Sequence, residues 1–263
     1  MSAAVHDATR PGRLPDDPDP ARRAAPVAGA DDPALDARAP LFVVSPHLDD
    51  AVFGCAALLA TRPGAVVCTV FAGTPAAEQR RPWDAAAGFD NARDAMAERL
   101  REDACALACC GARGIYLDFL DDQYGGSPDA AALTHALAGQ LARHPGAVPV
   151  LPLGLRHPDH RRVADAWLAL LRAGRITRCL VYEEALHRSA AGETGRRLAV
   201  LDRAGLRVTP LDENWCGARA MPPARDLKRR AVAAYASQLR AFGAGPLDDL
   251  ERPERYWHVT VGG

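Results

Sequence analysis

Leu41-Phe-Val-Val-Ser-Pro-His-Leu-Asp-Asp50 is an apolar run, long enough for a buried strand, that empties into a histidine and two aspartates. Small apolar residues follow over Ala51–Ala60 and stop at Arg62-Pro63-Gly64, the pattern of a helix laid against a sheet. The same order recurs at Leu151-Pro-Leu-Gly-Leu-Arg-His-Pro-Asp-His160, ahead of a helix from Pro158 to about Arg172 that carries Val163, Trp167, Leu170 and Leu171 on one face.

Working outward, further strands are predicted at Ala65–Phe71, Gly114–Phe119, Ala147–Leu153 and Arg178–Glu183, with helices over Asn91–Cys110 and Asp129–Arg143. Residues 73–90 are polar and irregular, a length typical of a binding loop or lid. Past the fifth strand the pattern loosens, leaving one amphipathic helix with Leu227, Ala231, Ala234, Tyr235, Leu239 and Phe242 on its stripe. Strands alternating with helices predict an α/β fold, a Rossmann-like three-layer αβα sandwich with a mostly parallel sheet. In such sheets ligands gather at the carboxyl ends of the strands. The first and fourth strands therefore bring the two His/Asp clusters to one edge.

At 263 residues the chain is long for one domain and short for two. Residues 1–38, rich in Ala, Pro, Asp and Arg, read as a disordered leader, and 39–263 as a single domain. A formal net charge of −1 gives no reason to expect nucleic acid or an anionic membrane as partner. No run approaches ~18 apolar residues and no signal-peptide core opens the chain, so the expected location is cytoplasmic. Cys55, Cys68, Cys105, Cys109, Cys110, Cys179 and Cys216 form an odd set without a CxxC pair, which favours buried thiols over disulfides.

His47 and Asp50 lie three apart, as do His157 and His160, so each pair can face one point on a first helical turn. A catalytic zinc takes three protein ligands and keeps one position open. His47, Asp50 and His160 supply such a set, with iron(II) fitting the same donors. Asp49, beside a ligand but pointing elsewhere, is the candidate general base. His157 is left to stabilise an oxyanion or protonate a leaving amine. Asp159 reads either as the carboxylate that orients His157 or as a first-turn acid of the helix. Taken singly, each cluster reads as a helix cap with a satisfied histidine; their coincidence at two strand ends favours a metal-dependent hydrolase.

Ser45-Pro-His-Leu-Asp-Asp50 is similar to the (A/P)HPDD motif, and His157-Pro-Asp-His160 to the HPDH motif, of the PIG-L/LmbE-like N-deacetylases. Softer likenesses are Thr69-Val-Phe-Ala-Gly73, Arg101-Glu-Asp103 and Tyr235-Ala-Ser-Gln238, so the resemblance spans about residues 40–260. It implies a zinc-dependent deacetylase of N-acetylglucosamine conjugates. His47, Asp50 and His160 would be the ligands of one zinc, Asp49 the base, and His157 the oxyanion-stabilising or acid group. Leu48 stands where proline is usual, Ala51 where glutamate often stands, and Leu155 where some members carry tyrosine. The His-Leu-Asp-Asp-Ala variant looks like the branch found with natural-product sugars.

A sugar site needs hydrogen-bonding groups beside an apolar platform. Trp83, Asp84, Gln123, Tyr124 and Glu184, in loops at the catalytic edge, are the candidates. His135, His144, His187 and His258 lack a partner at ligand spacing and read as surface or capping residues. The competing functions are another amide hydrolase such as a thiol-conjugate amidase, a metal-dependent phosphoesterase, and a non-catalytic sugar-binding module.

Overall fold

The computed structural model describes residues 32, 36, 38–76, 78–217, 223–243 and 247–262. Apart from Asp32, Asp36 and Arg38, the leader expected over 1–38 lies outside the described residues. The first five strands are β1 (Leu41–Ser45), β2 (Val66–Thr69), β3 (Arg113–Tyr116), β4 (Val148–Pro152) and β5 (Arg178–Tyr182). They pair in parallel, and the seven-stranded sheet runs β3-β2-β1-β4-β5-β7-β6, with β6 (Leu206–Pro210) and β7 (Tyr256–Val261) added at one edge. β7 is antiparallel to both of its neighbours.

Side chains of a strand alternate between faces, and both faces of this sheet are buried. Leu41 and Val43 of β1 enter one apolar layer with Phe53 and Leu58 of α1 (Asp50–Ala60) and Tyr235. Phe42 and Val44 enter the other with Trp167 and Leu171 of α5 (Pro158–Arg172) and Leu133 of α4 (Ala130–Ala142). Helices thus cover both faces of a mostly parallel sheet, the expected α/β architecture. No helix among the described residues is long and apolar enough to cross a membrane.

The departures lie late in the chain and in the long loop. Residues 73–90 contain a short helix, α2 (Pro82–Ala86), started by a proline in its first turn. Past β5 the structure adds α6 (Glu193–Arg203), β6 and β7, none of which the sequence pattern exposed. The single late helix is two: α7 (Pro223–Ala233) and α8 (Ala236–Phe242). The break has a cause in α3 (Ala92–Cys109), where Glu102 accepts the Ser237 backbone N–H at 2.7 Å and its hydroxyl at 2.6 Å. The Tyr235 hydroxyl donates to Asp103 at 2.6 Å. Two buried carboxylates thus anchor the junction and restart the helix.

Candidate active site

The strand order reverses between β1 and β4, whose carboxyl ends flank the crevice where ligands of such sheets collect. On the β1 side the chain folds tightly. The Ser45 hydroxyl donates to the His47 carbonyl at 2.7 Å and accepts the Ala51 N–H at 2.9 Å. The His47 N–H donates to Asp50 Oδ2 at 2.9 Å. Asp49 adopts φ 137° and ψ −38°, a region L-residues rarely enter, and its side chain makes no capping bond to α1.

On the β4 side, Gly154 at φ 87° is required, because a Cβ there would meet Ala164 Cβ at 2.4 Å. Pro158 occupies the first turn of α5, and His157 caps it by accepting the Asp159 N–H on Nδ1 at 3.2 Å. Glu184, fully buried just past β5, braces this loop: Oε1 accepts the Gly154 and Leu155 N–H groups at 2.7 and 3.0 Å. The same oxygen lies 3.3 Å from His160 Nδ1, so the ring turns its other nitrogen into the crevice.

His47, Asp50 and His160 converge there. Asp50 Oδ2 is 3.5 Å from His47 Nδ1 and 3.2 Å from His160 Nε2. His160 Nε2 is buried without a hydrogen-bond partner despite that proximity. A nitrogen and a carboxylate oxygen close together but not bonded fit two donors facing a shared cation, and imidazole with carboxylate suits zinc or a similar divalent ion. Among the described residues, three sets of ligand atoms fall within 4.8 Å of one another: His47–His157–His160, Asp50–His160–His187 and His47–Asp121–Asp159.

The carboxylates make this a site that favours positive charge. Burial opposes both imidazolium ions, yet Asp121, Asp159 and Asp50 together hold His47 well above its ordinary value, and Asp50 and Glu184 lift His160 to about 9. Burial and the adjacent Asp50 charge push the Asp49 carboxyl upward. His157 is shifted down by burial and by its histidine neighbours, and burial takes His187 to about 3.

Asp159 corrects one expectation. It is fully buried, with Oδ2 3.0 Å from His47 Nε2 but 4.0 Å from His157 Nδ1. It also accepts the Asp122 N–H at 2.9 Å and faces Arg162 at 2.5 Å, so it orients His47 across the crevice rather than His157 beside it. The candidate sugar contacts divide. Asp84 and Tyr124 are buried against each other, the phenol donating at 2.9 Å, and Glu184 is the brace described above, so these three face inward. The Trp83 indole N–H donates to Gln238 at 3.0 Å and its ring packs against Phe242, fastening α2 to α8. Gln123, half-buried, donates its N–H to Asp121 at 3.0 Å and stays beside the crevice.

Sequence reasoning missed Asp121, Arg99 and His187. Asp121 Oδ2 lies 3.9 Å from His47 Nε2 and 3.6 Å from the buried Arg99 guanidinium of α3. Asp121 had a signal in the loop containing Gln123 and Tyr124, and Arg99 in the stretch just before Arg101-Glu-Asp103. His187 had none: its ring lies 4.2 Å from that of His160 although it reads as a lone histidine. His258 is likewise buried, in β7, with Asp32 3.3 Å away.

The fold matches the zinc-inhibited form of teicoplanin deacetylase Orf2 at a TM-score of 0.67 and 22% identity, covering 84% of this chain and 98% of that one. It matches A40926 pseudoaglycone deacetylase Dbv21 at 0.63 and 24%, over 86% and 99% of the two chains. It also matches N,N'-diacetylchitobiose deacetylase from Pyrococcus horikoshii at 0.54 and 14%, over 85% and 84%. No curated protein matches the chain. The model of the PIG-L family, described as GlcNAc-PI de-N-acetylase, matches residues 42–171, the span from β1 through α5 that carries both His/Asp clusters. Residues 42–171 of this chain belong to the PIG-L family.

Proposed function

We propose that this protein is a zinc-dependent N-deacetylase that hydrolyses the acetamide of an N-acetylglucosamine-type conjugate on a natural-product scaffold. The observation that carries the reading is the buried, unpartnered His160 Nε2 beside Asp50 Oδ2, with His47 and Asp49 on the same loop. Deacetylation of a glycopeptide-type sugar is favoured because teicoplanin and A40926 pseudoaglycone deacetylases share the fold over nearly their whole length.

His47, Asp50 and His160 would hold the cation. When bound, the ion supplies Lewis acidity that makes water a better nucleophile and polarises the amide carbonyl. Asp49, its carboxyl raised by burial and by Asp50, takes the proton from the attacking water. The new C–O bond forms as the carbonyl electrons move to oxygen. His157, 34% exposed, donates its Nε2–H to stabilise that oxygen, and the proton held by Asp49 passes to the departing nitrogen. The C–N bond breaks to leave acetate and a free sugar amine. Asp159 holds the His47 ring, and Glu184 holds that of His160.

Acetate release tests the reading, measured with an N-acetylglucosaminyl glycopeptide pseudoaglycone, N,N'-diacetylchitobiose and free N-acetylglucosamine. Turnover of the glycopeptide conjugate that stops on chelation and returns with zinc is expected. Release from none of the three by the zinc-loaded protein overturns it.

A further inference from the structure

The chain past β5 contains a strained turn that the proposed chemistry does not use. Leu186 is a non-glycine residue at φ 67° with its side chain buried, a left-handed conformation unfavourable by about 1–2 kcal/mol. The structure over-determines it. The Leu186 N–H donates to Asp249 Oδ2 at 2.7 Å. Arg188, two residues on, donates from Nε to both Asp249 carboxylate oxygens at 3.0 and 2.9 Å, and from Nη2 to the Asp249 carbonyl at 2.7 Å. A further bond reaches the Pro253 carbonyl at 2.9 Å, and Glu183 lies 3.5 Å away. The ion pair is almost fully buried, with both side chains at or below 5% exposure.

Between these two fixed points stands His187. Its ring is 4.2 Å from that of His160 and 6.2 Å from that of His157. Ligand atoms of Asp50, His160 and His187 all lie within 4.8 Å of one another. Strain braced by a buried ion pair is kept where a neighbouring side chain must be placed accurately, and the side chain placed here is an imidazole beside two metal donors. We propose that His187 is a fourth protein ligand of the divalent cation assigned above to His47, Asp50 and His160, with water taking a fifth position, an inference that rests on that reading of the site. A third imidazole shifts the donor set toward nitrogen. The site then selects zinc, cobalt or nickel over magnesium and manganese, which prefer all-oxygen surroundings.

The test is cobalt binding to the apoprotein, followed by visible absorption, with zinc affinity measured by chelator competition. His187→Ala is expected to weaken both metals by about tenfold or more and to alter the cobalt spectrum. His187→Gly supplied with free imidazole should recover the spectrum, a rescue that a packing role would not produce. Thermal melting checks the fold, and His187→Gln replaces the alanine variant if that one fails to fold. Affinity within twofold of the parent with an unchanged spectrum overturns the proposal, as does a variant that loses only acetate release. His160→Ala separates the two levels. Loss of metal in that variant keeps the underlying site intact while His187 is judged, whereas retained metal refutes the ligand set and this inference with it.

Discussion

The two arms of the site carry related sequence and are built differently. Both are a strand, a loop and a helix start with a histidine three residues before a second donor. On the β1 arm the strain sits on the proposed base itself, since Asp49 occupies φ 137° and ψ −38°. On the β4 arm the histidines have ordinary backbone: His157 is an extended N-cap, and the left-handed residue is Arg156 at φ 53°, one position earlier. The difference follows from what each arm must do. On the proposed reading the adjacent Asp50 and Asp49 serve as ligand and base, and the unusual backbone falls at the base. His157 and His160 are presented by the regular geometry of a helix start, so a bend before them is enough.

The largest effect should come from the strained arm. Asp49→Asn keeps the shape and removes the base, and it should lower turnover by about 10²–10⁴-fold while metal content stays at the parent level. Full activity in that variant would show that the distortion at Asp49 serves packing and not chemistry. A smaller effect tests whether the arms are independent. Asp159 belongs to the β4 arm yet holds His47 of the β1 arm at 3.0 Å. Asp159→Asn should therefore weaken zinc by about 10- to 100-fold, read by chelator competition. An unchanged affinity would mean that each arm sets its own ligand.

The same contrast decides what the sequence disclosed. The parallel core was legible because β1, β2 and β4 are continuous apolar runs and α5 has a clear stripe, and Pro158 marks the start of that helix. Both clusters were legible because their spacing is local. Roles set by contacts between distant segments were not. Asp159 reads from its neighbours as the orienter of His157 or as a first-turn acid; it does sit in the first turn of α5, but the histidine that folding placed against it is 112 positions away. Glu184 looked like a sugar contact because it ends a strand at the catalytic edge, and became a brace because two backbone N–H groups of the β4 loop point at it. His187 was invisible, since the contacts that fix its segment beside His160 reach to Asp249, some sixty positions on. β6 and β7 escaped for a related reason: Arg207, Thr209, His258 and Thr260 interrupt the apolar pattern at the sheet edge.

Glu184 sharpens the comparison on the regular arm. Glu184→Gln keeps an acceptor for the Gly154 and Leu155 N–H groups but removes the charge facing His160 Nδ1. Zinc affinity should fall by about tenfold, the lower end of such effects, with little change in melting temperature. A large loss of stability instead would make Glu184 a folding residue whose approach to His160 is incidental.

The smallest effect concerns the bend itself. Arg156 is exposed and its left-handed backbone is unfavourable by about 1–2 kcal/mol. Glycine would relieve that strain but adds about 0.5–1 kcal/mol of unfolded-chain entropy. Arg156→Gly should thus stabilise the fold by roughly 0.5 kcal/mol, a rise in melting temperature of about 1–2 °C, without weakening zinc. If zinc binding weakened as stability rose, the strain at Arg156 would be holding His157 and His160 in place. The β4 arm would then work as the β1 arm does, with the distortion moved one residue out of the chemistry.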